Sequence, residues 1–390
     1  MDPSNIILTL NSGSSSLKFA LFDGETCIGR GGISGIGTKP TLSAKGNFFN
    51  DKPPVALDSQ CQNATDTTHA LIKWLEQCLP PHSLKAVGHR VVHGGDIPNP
   101  LRVTPDLLAH LKSLIPLAPL HQPYNLEAME QIAALHPDVP QVACFDTSFH
   151  ATIPPLHSLY AIPRKWREAG VRRYGFHGLS YEYIARRLKQ IAPQAYAGRT
   201  IVAHLGNGAS LCALKNGQSY DTSMGFSVLD GLVMGTRPGS LDAGVVLYLL
   251  RQAGLDEAAI EHMLYHECGL LGVSGISSDM ATLLASPEAS AHEAIDLFCH
   301  RIAREAGGLI SLLGGLDTLV FTGGIGEHAA PIRARIATAL GWTGAILDPE
   351  KNLAASQESL ISAPQSPIAL WLIPTDEESI IARHVRELAM

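Results

Sequence analysis

Two stretches of this chain share one plan: an apolar strand, a turn of small polar residues, and a second strand closing on a hairpin pair. The first runs through Ile6-Ile-Leu-Thr-Leu10, turns at Asn11-Ser-Gly-Ser-Ser-Ser-Leu-Lys18, and continues from Leu17 to Phe22, ending at Asp23-Gly24. The second begins at Thr200, turns at His204-Leu-Gly-Asn-Gly-Ala-Ser210 and ends at Asn216-Gly217. Asp-Gly and Asn-Gly suit two-residue hairpin loops because both central positions take positive φ. The strings SLKFALFDG (16–24) and SLCALKNG (210–217) correspond with a one-residue offset. Chance likeness of two hairpins is the plain alternative. The other is two related halves, each presenting a turn to one ligand from opposite sides. Small residues let the backbone approach a ligand closely, and hydroxyls, N–H groups and the Lys18 ammonium are donors that a phosphate takes. A solvated serine-rich loop is the competing reading of the first turn.

A length of 390 residues suggests two domains, each able to bury a core. Hydrophobic residues make up 45% and charged residues 17%, which argues for a compact enzyme-like protein and against disorder. The net charge of −7 carries no electrostatic footprint for nucleic acid. Seven cysteines, odd in number and without a C-x-x-C pair, suit reduced thiols in a cytoplasm and not a disulfide framework or zinc site. No signal peptide is visible before the first strand, and no apolar run reaches the roughly 18 residues of a membrane span. The expected location is cytoplasmic, with no membrane or nucleic-acid partner.

Between the hairpins, the pattern predicts a helix over 64–78, a buried strand over 86–95 ending in glycines, and a helix capped by Thr104 with Pro105 at its first position. A further helix is predicted from Asn125, and a strand over 141–145 closing on Asp146. Ile153-Pro-Pro155 is the candidate domain boundary. Beyond it, the pattern predicts helices near Ser180 and over 242–252, 256–266 and 288–313, and strands over 316–322 and 368–373. Thr375-Asp-Glu-Glu378 has the form of a capping box opening the last helix.

Residues 324–329 read G-x-G-x-x-A between a strand and a helix, the formal dinucleotide pattern. It lies near the C-terminus, outside a first βαβ unit, so it is weak evidence for a nicotinamide enzyme. A glycine turn carrying a nucleotide is still consistent with it. No G-x-x-x-x-G-K-[ST] occurs. Arg90 and Arg237 stand beside glycine turns and suit a carboxylate or a transferring phosphoryl group; a structural salt bridge is the alternative for each. Asp146 and Glu377 are candidate Mg²⁺ anchors, although an acid in a first helical turn also simply complements the helix dipole. His121, His177 and His204 flank Gly or Pro turns. The i,i+4 pairs His89/His93 and His262/His266 lack a third ligand and are not read as metal sites.

The motifs LNSGSSSLKF, HRVVHGG, LAPLHQP, FDTSFH, YGFHG, HLGNGASL, TSMGF with MGTRPG, SGISSDM, FTGGIGEH and TDEE occur in the order and spacing of acetate kinases, which the chain resembles over essentially its whole length. The resemblance implies an α/β architecture of two ribonuclease H-like (actin-like ATPase) domains facing each other across a nucleotide cleft. Residues 1–150 with a returning helix 375–390 would form the N-terminal domain. Residues 151–374 would form a C-terminal domain that binds nucleotide and dimerises. It implies reversible Mg²⁺-dependent phosphoryl transfer from ATP to acetate giving acetyl phosphate and ADP, with Mn²⁺ as an alternative ion, a place in acetyl-CoA biosynthesis, and a homodimer.

By motif, Arg90 and Arg237 would hold the carboxylate and the phosphoryl group, His177 would stabilise the transferring phosphoryl, and Asp146 would be a catalytic carboxylate positioning Mg²⁺. Glu377 and Asn11 would serve the metal. Lys18, His204, Leu205, Gly206, Asn207, Gly208, Asp279, Met280, Ala281, Gly324, Ile325, Gly326 and His328 would border the nucleotide. Val92, Leu120, Phe176 and Val228 would line the pocket for the acid's alkyl end. Four positions depart from the family pattern: Ala281 stands where Arg is usual, His328 and Gln122 where Asn is usual, and Val228 where many members have Pro. One methylene in a pocket discriminates by only about 1–3 kcal/mol, so a propionate or other short-chain fatty acid kinase is the alternative. A non-catalytic nucleotide switch on the same fold is the rival of another class.

Overall fold

The computed structural model describes residues 5–13, 16–46, 48–49, 54–57, 63–119 and 121–390. The chain divides into two compact units, Met1–Ala151 with Asp376–Met390, and Thr152–Thr375.

The first unit is built on strands β1 (Ile6–Ser12), β2 (Ser16–Asp23), β3 (Thr26–Ser34), β4 (Thr41–Lys45), β5 (Val55–Ala56), β6 (Leu84–Val91), β7 (Leu101–Arg102) and β8 (Gln141–Phe145), in the order β5-β4-β3-β2-β1-β6-β8-β7. β1 and β2 are antiparallel, as are β2 and β3, whereas β6 runs parallel to both β1 and β8. The parallel strands are buried on both faces and read as near-continuous apolar runs. Alternation sends Ile6, Leu8 and Leu10 into one cluster with Phe19, Leu71, Leu75 and Ile132. The last helix, Glu377–Ala389, lies on β6: a Cβ on Gly88 would meet Ile381 at 2.4 Å and Val385 at 2.7 Å. Glycine at 88 is what lets that helix seat.

The second unit carries β9 (Arg199–Leu205), β10 (Ala209–Lys215), β11 (Gln218–Thr222), β12 (Thr318–Thr322), β13 (Ser359–Leu360) and β14 (Ala369–Leu372), in the order β11-β10-β9-β12-β14-β13. β9–β10 and β10–β11 are antiparallel; β12 is parallel to β9 and β14. This five-strand arrangement, β11-β10-β9-β12-β14, repeats β3-β2-β1-β6-β8 of the first unit strand for strand. It is the ribonuclease H-like plan, twice. The two hairpins recognised in the sequence are the equivalent first pairs, and Asn216 and Gly217 take φ of 53° and 70°, as a hairpin of that kind requires.

Several sequence expectations shift by a few residues. Thr104 caps its helix through a bond from the Leu107 N–H. The next helix begins at Gln122, three residues before Asn125, because Pro123 tolerates the first turn. The helix placed near Ser180 begins at Gly178. The last helix is capped by Asp376, whose Oδ1 accepts from the Ser379 N–H at 3.3 Å, and not by Thr375, whose N–H goes to Glu327 Oε1 at 3.1 Å instead of to Glu378. Residues 323–328 are a short helix after the fourth core strand, which is not the first-βαβ setting of a nicotinamide fingerprint.

Candidate active site

In the first unit, parallel register assembles an acid–base cluster. Arg90 on β6 lies opposite Cys144 on β8, and Asp146 follows β8 with its N–H on Val91 O at 2.9 Å. These are carboxyl ends of parallel strands, where open α/β sheets bind ligands. Arg90 forks onto Asp146: Nε donates to Oδ1 at 3.1 Å and Nη2 to Oδ2 at 2.6 Å, while Nη1 stands 3.5 Å from Glu377 Oε2. Burial alone would lower the Arg90 pKa, but Asp146 and Glu377 outweigh it and raise it. Glu377 goes the other way. Burial, with Asp146 and Glu378 beside it, pushes its carboxyl up to about 7 against the pull of Arg90 and Lys18. Lys18, opposite Asn11 in the β1–β2 ladder, therefore acts on the Glu377 carboxylate. Arg90 thus forms ion pairs with both carboxylates of the cluster.

Two amides hold the loop that follows Arg90. Gln122 is fully buried; its Oε1 accepts from His93 N at 3.2 Å and its Nε2 donates to His93 O at 2.8 Å and Leu111 O at 3.3 Å. Asn125 bridges Val92 N and the Ser12 carbonyl, at 3.1 and 2.7 Å. The departure at Gln122 is thus a backbone clamp. Val92 is buried within this loop, and Leu120 lies outside the described residues. His89 is buried on Gln141 Oε1, and burial pushes its pKa down to about 4. It is a neutral core histidine.

In the second unit, His177 precedes the helix Gly178–Ile191 in the left-handed region, φ 58° and ψ 24°. That backbone costs a non-glycine residue about 1–3 kcal/mol and is characteristic of functional sites. His177, Ser180 and Tyr181 are spaced to share one helix face. On the sheet, His204 and Ser210 are cross-strand partners. The two faces interlock: Ser210 Oγ bonds His177 Nδ1 at 2.8 Å and also Tyr181 OH, and Ser180 Oγ bonds His204 Nδ1 at 2.8 Å. The His177 and His204 rings stack, with centroids 4.3 Å apart and planes at 19°.

Arg237 reaches the same place. Its Nη1 donates to Val228 O at 2.8 Å, and burial lowers its pKa to about 10. Among the described residues no carboxylate answers its charge, in contrast to Arg90. A Cβ built on Gly208 would lie 2.8 Å from Arg237 Nη2 and 3.3 Å from His177 Nε2. Two side-chain nitrogens therefore converge over a glycine. Gly235 makes room for Asn207, whose Oδ1 would be 1.9 Å from a Cβ there. Phe176 and Val228 are buried in the same unit.

The β9 and β12 turns are adjacent. A Cβ on Gly323 would meet Leu205 O at 2.8 Å, and one on Gly206 would lie 3.9 Å from Gly324 N. Gly324 and His328 are exposed, Ile325 is half-buried and Gly326 is buried. Arg333 fixes this turn from beneath, donating to the Gly326 and Glu327 carbonyls at 3.0 and 2.9 Å and to Asn352. Asp279 is the N-cap of helix Met280–Ala285, and its bonds from Thr282 lower its pKa; Met280 is buried and Ala281 exposed. Sequence reasoning gave no partner to Ser180, Tyr181, Ser210, Gln122, Asn125 or Arg333, although it named Gln122 as a departure and Ser210 as the end of the second turn. Only the first three had a signal, the helical spacing facing a hairpin pair.

Among the described residues no three His, Cys, Asp or Glu side chains gather as a metal cage. Mg²⁺ does not need one: it commonly takes one or two carboxylates, with water and phosphate oxygens completing its shell. Asp146 and Glu377, two carboxylates brought side by side on the shared Arg90 guanidinium, fit that requirement.

The twice-repeated core defines a protein of the ribonuclease H-like, actin-like ATPase class. Within that class the chain belongs to the acetokinase family, whose model matches residues 6–383. An acetate kinase of Rhodopseudomonas palustris is 52% identical over 397 residues, covering 99% of each chain. One from Nitrobacter hamburgensis is 48% identical over 98% of this chain and 96% of its own. Among solved structures, Porphyromonas gingivalis acetate kinase matches with a TM-score of 0.90 at 35% identity, covering 99% of this chain and 100% of that one. A propionate kinase from Francisella tularensis matches with 0.91 at 37%, covering 98% and 100%.

Proposed function

We propose that the chain transfers the terminal phosphoryl group of ATP to acetate, reversibly, giving acetyl phosphate and ADP. The observation that carries this reading is the convergence of Arg237 Nη2 and His177 Nε2 over Gly208, in a member of the acetokinase family. A simple carboxylic acid has a pKa of about 4–5, by analogy with Asp and Glu. Acetate is therefore ionised at neutral pH and needs no general base. The barrier is the approach of an anion to a polyanion. What lowers it is positive charge and hydrogen-bond donors aimed at the equatorial oxygens of the transferring group. Arg237 supplies charge that no carboxylate among the described residues cancels, and His177 supplies a donor beside it. Arg90 is committed to Asp146 and Glu377 and orders them. Those two carboxylates, with Asn11 nearby, would hold Mg²⁺, which when bound offsets phosphate charge. Phe176 and Val228 suit the acid's methyl group, and Gly324 to His328 with Asp279 suit the adenosine. Transfer is direct and in line, with no phosphoenzyme.

The reading includes a homodimer. Helix Ala243–Arg251 has no buried residue, and Val245, Leu247, Tyr248 and Leu250 are 39–62% exposed. A helix apolar on all sides is normally covered, and a second copy of the chain is the proposed cover. No helix among the described residues is long and apolar enough to cross a membrane; a cytoplasmic place in acetyl-CoA formation is part of the same proposal.

Hydroxylamine trapping of acyl phosphate, with Mg²⁺, ATP and acetate, propionate or butyrate in parallel, tests the proposal. Hydroxamate is expected with acetate at the highest kcat/KM. A higher value for propionate would favour the propionate kinase, the activity named for the Francisella tularensis relative. No product with any acid would overturn the enzyme reading and leave a nucleotide switch.

A further inference from the structure

We propose that Tyr181 and Ser210 are positioning residues that hold His177 in the tautomer with its proton on Nε2, so that the ring donates toward the phosphoryl group. The inference deepens the proposed phosphotransfer and rests on it for the kinetic half of its test. Ser210 Oγ lies between two partners, His177 Nδ1 at 2.8 Å and the Tyr181 hydroxyl. Tyr181 and Ser210 are both fully buried, which limits competition from water.

A serine hydroxyl has one hydrogen to give. If it goes to Tyr181, then Nδ1 must carry the ring proton and Nε2 presents a lone pair. If it goes to Nδ1, Tyr181 donates to Ser210 and Nε2 carries the proton. The phenol is the stronger acid of the two hydroxyls and so the better donor, which selects the second arrangement. The surroundings of Nε2 favour it too. That nitrogen sits over Gly208 beside Arg237 Nη2, where an anionic group is attracted. A lone pair there would repel an anion; an N–H donates to it. The bonds then run one way, from Tyr181 to Ser210 to His177 to phosphoryl, and each polarises the next. His204, stacked on the His177 ring and held by Ser180, keeps the ring plane fixed. No proton is transferred along the chain; the relay sets which nitrogen bears it.

The test is a long-range ¹H–¹⁵N correlation spectrum of histidine-labelled protein, with the His177 resonance identified by its loss in His177→Asn. The wild-type ring is expected in the Nε2–H tautomer. In Tyr181→Phe the Nδ1–H form should become populated. kcat should fall about tenfold, the worth of one hydrogen bond in the transition state, with both KM values within about twofold. Ser210→Ala, a second variant should the first fail to fold, should move tautomer and kcat the same way and further. A wild-type ring in the Nδ1–H form overturns the relay. So does a Tyr181→Phe enzyme whose kcat falls while its tautomer is unchanged. The spectrum needs no turnover, so it judges the relay even if the wild-type chain makes no acyl phosphate, a result that would sink the kinase reading separately.

Discussion

Arg237→Met is expected to abolish turnover and leave the second unit at least as stable as before. Arg237 is half-buried, its guanidinium donates to Val228 O at 2.8 Å, and desolvation holds its pKa down at about 10. Measured from the ordinary arginine value, that corresponds to about 3 kcal/mol of folded-state cost, at about 1.4 kcal/mol per pKa unit. The sign follows from the base being strained in its charged form. The cost is complete below about pH 10 and is relieved only as pH rises through it. Against it stands one charge-assisted hydrogen bond, about 1.5–3 kcal/mol. Methionine keeps most of the apolar volume and adapts to the site. The variant should fall between unchanged and about 1.5 kcal/mol more stable. Arg90→Met should behave oppositely. It removes the common partner of Asp146 and Glu377 and leaves two carboxylates uncompensated, a loss of about 3–5 kcal/mol. Chains with two compact units need not unfold in one step. Hydrogen exchange under increasing urea, read on peptides from 84–91 and 231–240, therefore separates the two effects. Loss of more than about 1 kcal/mol in Arg237→Met, or less than that in Arg90→Met, would refute the contrast between an unpaired and a paired arginine.

Three further outcomes follow from particular contacts. Glu377 carries a carboxyl raised from 4.5 to about 7, so the folded state binds a proton in that window that the unfolded chain does not. Its contribution to stability falls as pH rises through the window, and Glu377→Gln should gain on the wild type by about 2 kcal/mol between pH 5 and 8 in urea midpoints; a flat difference contradicts this. Gln122→Leu removes the bonds to His93 N and His93 O and the second of two on Leu111 O, and should cost about 2–4 kcal/mol in the same assay, whereas a cost below about 1 kcal/mol would mean the clamp is dispensable. Tyr248→Glu with Leu247→Glu should convert a dimer to a monomer in sedimentation; a wild-type chain already monomeric at micromolar concentration would remove the proposed cover.

The fold was legible where its causes are local. Asn216-Gly217 announces a hairpin because few other pairs accept the backbone it needs, and Thr104-Pro105 announces a helix start; the first hairpin turns one residue later than Asp23-Gly24, on Gly24 and Glu25, because Asp23 stays in the ladder opposite Thr26. The likeness of the two hairpins carried the duplication, because strand alternation and turn chemistry repeat together. Site partners were harder to read. Arg90 and Asp146 stand 56 residues apart and meet through parallel register, which no local pattern encodes. The clamp of Gln122 on His93 arises the same way, across 29 residues. Thr375 read as a cap because the string has the right form, yet its N–H is taken by Glu327, 48 residues away. The glycine at 208 was visible as part of a phosphate-type turn. That it leaves space under Arg237 and His177 depends on a loop and a helix start contributed from elsewhere in the unit.

The most direct test of the account is the rate of acetyl hydroxamate formation by Gly208→Ala beside the wild type. Gly208 is not among the positive-φ glycines, so alanine is compatible with its backbone. The added methyl would sit 2.8 Å from Arg237 Nη2 and 3.3 Å from His177 Nε2. It should displace both donors by a few tenths of an ångström or more and cut kcat by about 100-fold, with the unfolding midpoint unchanged. A Gly208→Ala enzyme as fast as the wild type would mean that the phosphoryl group does not pass beneath those two nitrogens.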